Sequence, residues 1–413
     1  LARIATRPNL DHWLADAIVS SASSHAETIS AQMLSATSED PNFLTSSRLD
    51  LLQRLLATAQ HQGQPISDLA EATLASPDLK LDSRLRLAEC VIGAARAAKS
   101  DVSSLSKVLR PLQKSAQNIA ADTQQSELTR CRAVSLIGVN VDAGDAEAEF
   151  LLSLLNPSAP VSVQCEAIDA LLRQNDSDCL DNVIGRWQSL SRSVRDHLVQ
   201  SLLSRRRSTE RLLQAIQSEA IGVNEISLSA REQLLKTGSR SMRVKAQRLI
   251  KSAGSKERGL LVREYLAQFT PDARQPESGR LAERDRGRML FQKHCATCHS
   301  TDPSVAAIGA SLSNLSNRTD VALVESILDP NRAVEPKFQS YIVQTDEGKT
   351  LVGVIESEVG DSLTLAHADG KRTTIRRDRL ERIKSSGTSL MPEGFETTLS
   401  PEQLQAIVRY LQH

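Results

Sequence analysis

The chain has 413 residues, 40% of them hydrophobic, enough for roughly two or three domains with real cores. Its 50 Lys and Arg balance 50 Asp and Glu, which removes a general basic footprint for nucleic acid, and no apolar run is long enough to span a bilayer. Aromatic residues are only 3%, and Leu, Ala and Ser dominate, which favours helices packed through small and aliphatic side chains.

Residues 1–270 read as amphipathic helices with apolar residues at i, i+3, i+4 and i+7. Asp11–Ser20 offers Trp13, Leu14, Ala17 and Ile18; Ser47–Ala59 offers Leu49, Leu52, Leu55 and Leu56. Leu81–Ala98 carries Leu85, Ala88, Val91, Ile92 and Ala95, and Glu127–Val139 carries Leu128, Cys131, Val134 and Ile137. Val161–Arg173 and Ser191–Leu203 repeat the pattern, and breaks such as Asn156-Pro157, Asn175-Asp176 and Thr237-Gly238 separate the helices. The helices pair at a spacing of roughly 35 to 40 residues, which predicts an α-solenoid of HEAT-like helix pairs serving as a scaffold. Trp13 and Trp187 are expected to pack between helices, and Arg205-Arg206-Arg207 to form a solvated corner. Cys90, Cys131, Cys165 and Cys179 sit in apolar patterns and read as buried thiols, with a Cys165–Cys179 disulfide left open. A start at Leu1 inside a helical unit predicts a processed or excised part of a longer chain.

Residues 271–283, rich in Pro, Gly and polar side chains, read as a linker, and 284–413 as a second domain. A helix from about Arg284 runs into Phe291-Gln-Lys-His-Cys295-Ala-Thr-Cys298-His299, the C-x-x-C-H pattern of covalent haem c attachment. Two thiols at this spacing form thioethers to the haem vinyl groups, and the adjacent imidazole ligates the iron. A second helix is predicted near Thr319–Leu328, with Val321, Val324, Ile327 and Leu328 inward, ending at Asp329-Pro330. The closing helix has Ser400 as N-cap, Pro401 at its first position and Gln403 to complete a capping box. Its stripe of Leu404, Ile407, Val408 and Leu411, with Tyr410, is expected against Gly287 and Phe291.

Of four methionines, Met391 is the leading candidate for the second axial position, because Ser389-Leu-Met-Pro-Glu-Gly394 is a loop free to reach over a ring. Plain loop packing of Met391 and ligation by His367 are the alternatives. Residues 336–386 alternate in β-fashion around Glu347-Gly348 and Asp369-Gly370, predicting a small antiparallel β subdomain inserted before that loop.

On these residues the chain resembles the C-terminal region of large secreted, membrane-bound-dehydrogenase-like proteins, which join HEAT-like repeats to a Planctomycete/Verrucomicrobium-type haem c-binding domain. The likeness is carried by Phe291-x-x-His294-Cys295-x-x-Cys298-His299, Asp329-Pro330-Asn331, the Asp346–Gly348 turn with Gly353, and Ser389-Leu390-Met391-Pro392-x-Gly394; Arg130–Gly138 and Arg231–Leu235 match the repeats more loosely. It implies a class I-like cytochrome c domain with one covalent haem c on Cys295 and Cys298, His299 proximal and Met391 distal, and Gly287, Phe291 and Tyr410 at the crossing helices. Such domains place Gly-Pro beneath the haem; the corresponding pair here is Gly309-Ala310, whose carbonyl still accepts from His299.

The expected function is electron transfer through a six-coordinate haem c, fed by an attached or partner dehydrogenase domain and drained by a downstream acceptor, in the periplasm or another extracytoplasmic setting. No catalytic site is evident, and neither nucleic acid nor a membrane span is implied. The alternatives are a haem sensor or peroxidase with a labile distal ligand, and a non-redox interaction scaffold whose Cys-Cys-His site holds a structural metal.

Overall fold

A computed structural model describes the chain except residues 8, 9, 41, 42, 44, 65–70, 72, 75–78, 101–105, 140–144, 175, 176, 252–255 and 272–275. The break at Asn175-Asp176 and residues 272–275 of the expected linker therefore lie outside the described residues. The fold is mostly helical, with a small, open antiparallel sheet near the C-terminus. Contacts divide it into two compact units, Leu1–Leu155 with Ser162–Cys179, and Asn156–Val161 with Leu180–His413. Among the described residues no helix is long and apolar enough to cross a membrane.

In the first unit, helices Ser46–His61 and Leu81–Ala97 pack together, as do Ser106–Ala121 and Glu127–Ile137. The apolar periodicity is buried as the sequence predicts at Leu52, Leu55, Leu56, Leu85, Val91 and Ile137. Trp13, Ala17 and Leu128, all expected inward, are exposed. Trp13 is 73% exposed, against His12 (4.8 Å between ring centroids), because Ala15 and Ile18 form the inward face of the short helix His12–Ser21. Leu128 is 60% exposed at the first turn of its helix, where Arg130 takes the inward place.

A buried arginine recurs in the first turn of these helices and reaches back to a carbonyl of the preceding segment. Arg48 donates to Phe43 O (2.7 Å) and Arg130 to Ala120 O (2.9 Å) in the first unit; Arg195 donates to Trp187 O (2.8 Å) and Arg231 to Ile226 O (2.9 Å) in the second. Each gives its carbonyl a side-chain donor; Phe43 O and Trp187 O also accept from the backbone N–H of Thr45 and Leu190.

In the second unit, helices Arg192–Leu203, Arg206–Gln217, Leu228–Lys236 and Arg240–Lys251 stack in sequence, each against its neighbour or the next but one. Arg205, Arg206 and Arg207 are exposed at one corner, and Trp187 is buried. Helix Lys256–Ala267 joins the core of the C-terminal helices: Val262 and Tyr265 cluster with Phe291, Leu323, Val324, Leu404 and Val408. The helix of the cysteine motif starts at Glu277, earlier than the sequence suggests, so 277–283 are helical. It crosses helix Pro401–Leu411 where Gly287 meets it; a Cβ there would lie 2.6 Å from the Ala406 carbonyl carbon. Phe291 meets Tyr410 with ring centroids 5.5 Å apart. The capping box forms in both directions, with Ser400 Oγ accepting from Gln403 N (3.4 Å) and Gln403 Oε1 from Ser400 N (2.9 Å). In helix Asp320–Leu328 the inward set is Leu323, Val324 and Leu328, while Val321 is 54% exposed.

The sheet has strands β1 Gln339–Thr345, β2 Thr350–Val359, β3 Ser362–Ala366, β4 Arg372–Arg376 and β5 Leu380–Ser389, in the order β4-β3-β2-β1-β5, all neighbours antiparallel. Gly348 (φ +77°) and Gly370 (φ +89°) make the turns that their sequence signals predict. β5 is ten residues long, longer than the short strand expected around Ile383.

Candidate functional site

Cys295 caps the helix Glu277–His294, and its N–H and that of Ala296 both donate to Phe291 O (2.8 and 3.0 Å). The chain then coils tightly, with Cys298 N and His299 N both donating to Cys295 O (3.1 and 2.9 Å). A helix end followed by this coil puts two thiols and an imidazole on one short segment. Cys295 packs against the core around Phe291 and Leu404. Burial pushes its thiol up to about 11, with the neighbouring Cys298 adding to the effect, and burial raises Cys298 as well.

The loop after His299 folds back beneath it. Gly309 N donates to Cys298 O (2.7 Å) and Leu312 N to Ser300 O (2.9 Å), which carries Ala310 under the imidazole. His299 Nδ1 donates to Ala310 O at 2.8 Å. An imidazole that donates from Nδ1 holds its lone pair on Nε2, the nitrogen then available to a metal. Gly309 lies flat against the ring: a Cβ there would fall 2.5 Å from Cε1, 2.7 Å from Nδ1 and 2.9 Å from Nε2 of His299. Only glycine fits this cradle without moving the imidazole.

The sheet reaches the same site through its β3–β4 turn. Cys298 Sγ meets Ala368 O at 3.6 Å, and Gly370 lies close to the Thr297 carbonyl. Next to Gly309, Ile308 is buried with Val354, Ala366 and the partly buried Leu390. Leu390 immediately precedes Met391, so the loop beneath His299 and the loop bearing Met391 share one apolar cluster. Met391 is half-buried, and its N–H donates to Ser389 Oγ (3.1 Å). His367, the alternative ligand, has both ring nitrogens engaged in the sheet. Nδ1 donates to Val352 O (2.7 Å) and Nε2 accepts from Thr373 Oγ1 (2.8 Å). Met289 is exposed on its helix.

The structure thus brings together Cys295, Cys298, His299, Gly309 and Ala310, and separately pairs Phe291 with Tyr410. The donor set fits a haem attached at two thiols with one axial imidazole. Among the described residues no three His, Cys, Asp or Glu side chains are arranged to hold a metal ion. Sequence reasoning assigned no role to Asn331, whose side chain bonds to both sides of the Met391 loop, nor to the Ala368 turn. The sequence cues for Asn331 are its place directly after the helix-ending Asp329-Pro330 and in the Asp329-Pro330-Asn331 stretch that carries the resemblance. No protein-family model matches this chain, and no curated protein is significantly similar to it.

Proposed function

We propose that this chain is an electron-transfer protein with one covalently attached haem c. Cys295 and Cys298 are the thioether positions, His299 the proximal ligand and Met391 the distal one. When bound, the haem iron supplies one-electron oxidation and reduction. The observation that carries the reading is the His299 setting: a C-x-x-C-H segment whose imidazole is held through Nδ1 by the Ala310 carbonyl, with Gly309 against the ring face. Orienting an imidazole this way fixes its tautomer and raises its basicity, as suits a metal ligand. Ile308 and Leu390 form an apolar cluster with Val354 and Ala366 of the sheet, next to Gly309.

In this reading 284–413 form a class I-like cytochrome c domain with its β insertion, and 1–270 a HEAT-like scaffold, to which the recurrent first-turn arginines lend support. The wider family reading is the C-terminal region of a secreted dehydrogenase-like protein. A dehydrogenase domain or redox protein would deliver electrons, and a separate acceptor would remove them, outside the cytoplasm where haem c is matured.

The test is an absorption and redox spectrum of protein produced in a host competent for cytochrome c maturation. A covalent haem spectrum with a methionine-to-iron band that disappears in Met391→Ala is the expected result. Absence of covalent haem sinks the proposal. A reduced protein that binds carbon monoxide readily would move it to the sensor or peroxidase reading.

A further inference from the structure

We infer that Asn331 and Arg258 are positioning residues for Met391, clamping its loop from outside the cysteine motif; this rests on the haem c reading above. The side-chain amide of Asn331 bridges the loop on both sides of the methionine. Its Oδ1 accepts from Ser389 N (2.8 Å), two residues before Met391, and its Nδ2 donates to Glu393 Oε1 (2.5 Å), two residues after. Arg258 takes the other oxygen of the same carboxylate, donating to Glu393 Oε2 (3.1 Å), and also donates to Glu396 Oε1 (2.6 Å). Glu393 is therefore held on both oxygens by groups from two different elements.

Both clamping residues are themselves fixed. The Asn331 carbonyl accepts from Asn224 Nδ2 (2.6 Å), and the Asn224 carbonyl accepts from Gln339 Nε2 (2.9 Å). Tyr265, two turns after Arg258 on helix Lys256–Ala267, donates its hydroxyl to Leu399 O (2.9 Å) and Glu396 O (3.2 Å), so that helix also grips the end of the loop. Gly394 turns the chain in the left-handed region (φ +97°), completing a defined loop path.

The physical consequence concerns how readily the loop opens. An irregular segment keeps one conformation only while its contacts exceed the entropy of releasing it. Hydrogen bonds with an ionised partner are the stronger ones, and Glu393 makes two of them. A thioether that ligates iron competes with every external ligand through that opening equilibrium. The residues read from sequence as scaffold, Asn224, Arg258 and Tyr265, thus belong functionally to the distal side of the site.

The experiment uses the full-length haem-loaded chain, with imidazole as the competing ligand of the ferric protein. Asn331→Ala and Arg258→Ala are each expected to bind imidazole at least about ten-fold tighter than wild type, the factor for the one charge-assisted bond to Glu393 that each loses, with the further bond of each (Ser389 N to Asn331, Arg258 to Glu396) adding to it. Both should show a lower reduction potential as methionine ligation weakens, with an unchanged covalent haem content. Arg258→Lys should recover part of the effect. Should either alanine variant fail to fold, Glu393→Gln, isosteric and at a partly exposed side chain, gives the same direction through weaker neutral bonds. If Met391→Ala abolishes the methionine-to-iron band while the clamp variants match wild type in imidazole affinity and potential, the clamp is refuted and the haem reading stands. If wild type lacks the band, both fall together.

Discussion

Replacing Gly309 by alanine tests the geometry on which the site rests. The backbone there is not in the left-handed region, so alanine brings no dihedral penalty and any effect belongs to its Cβ. That atom would sit 2.5 Å from His299 Cε1 and 2.7 Å from Nδ1. Ordinary contact between such atoms is about 3.5 Å or more, so the ring or the loop must retreat by about 1 Å. Retreat of the ring stretches the 2.8 Å bond from Nδ1 to Ala310 O towards the limit of a hydrogen bond. Overpacking costs about 1–3 kcal/mol and the lost bond about 0.5–1.5 kcal/mol, for a destabilisation of about 2–4 kcal/mol. On the haem c reading, a less basic His299 would stabilise oxidised iron less well, so the reduction potential should rise. Denaturant midpoints of the ferric protein and a redox titration measure the two effects. Gly259→Ala is the control: it lies within a helix with no atom within 4 Å of an added Cβ, and should be neutral or stabilising by up to about 1 kcal/mol. A Gly309→Ala protein as stable as that control, with an unmoved potential, would refute the cradle.

Gly287→Ala gains helix propensity but drives a methyl into the Ala406 backbone at the helix crossing, and should lower stability by about 2–4 kcal/mol in urea unfolding. Glu358 and Arg377 form a fully buried pair (2.7 Å, each side chain 1% exposed), so Glu358→Leu, which strands the guanidinium, should cost about 3–5 kcal/mol or abolish folding. Burial raises the Glu358 pKa, but the donors around it, Ser193 and Arg377 among them, outweigh this and hold it below the usual glutamate range. Its contribution is therefore complete above the ordinary glutamate pKa and is lost as pH falls through its own lower value, so wild type should lose stability in acid more steeply than Glu358→Gln. The buried Tyr341 hydroxyl has no hydrogen-bond partner among the described residues, and burial pushes it up to about 12; Tyr341→Phe should hold or raise the melting temperature, and a loss above about 1 kcal/mol would reveal a bond it does make.

What could be read in advance was local chemistry. The capping box of Ser400 and Gln403, the glycine turns at Gly348 and Gly370, and the alternation of β1 to β4 each depend on residues a few positions apart. The same holds for the crossing at Gly287 and Phe291, where helical spacing places a gap and a ring on one face. Trp13, Leu128 and Val321 were misread because a short helix has room for only one inward row, and neighbouring Ile18, Arg130 and Leu323 fill it. The long-range polar contacts were illegible for another reason. Arg195 pairs with Glu225 (2.9 Å) and lies over the Trp187 and Tyr341 rings, and Arg377 reaches the carbonyls of Pro157 (3.1 Å) and Ala159 (3.5 Å). A charged residue in a polar stretch reads as surface, and nothing in its neighbours announces a partner far along the chain. The clamp of Asn331 and Arg258 escaped for the same reason.

These buried pairs explain why the sheet is more than an ornament on the cysteine-bearing segment. Its residues alternate between two faces. Tyr341, Val343, Ile355 and Leu365 share one core, and Arg195 lies over the Tyr341 ring (5.5 Å), which ties this face to helix Arg192–Leu203. Val354 and Ala366 point the other way and meet Ile308 and Leu390, the residues that precede Gly309 and Met391. A shift of one residue in the pairing of β2 and β3 would exchange these faces and uncover both contacts at once. Ion pairs are a poor source of net stability but strongly penalise a wrong partner, since a misplaced register leaves Glu358 or Arg377 buried alone. The sheet is thus a connecting layer, and the buried Glu358–Arg377 pair adds a penalty for displacing β2. On the haem c reading, it carries the rigidity of the stacked helices to the two loops that would hold the iron's axial ligands.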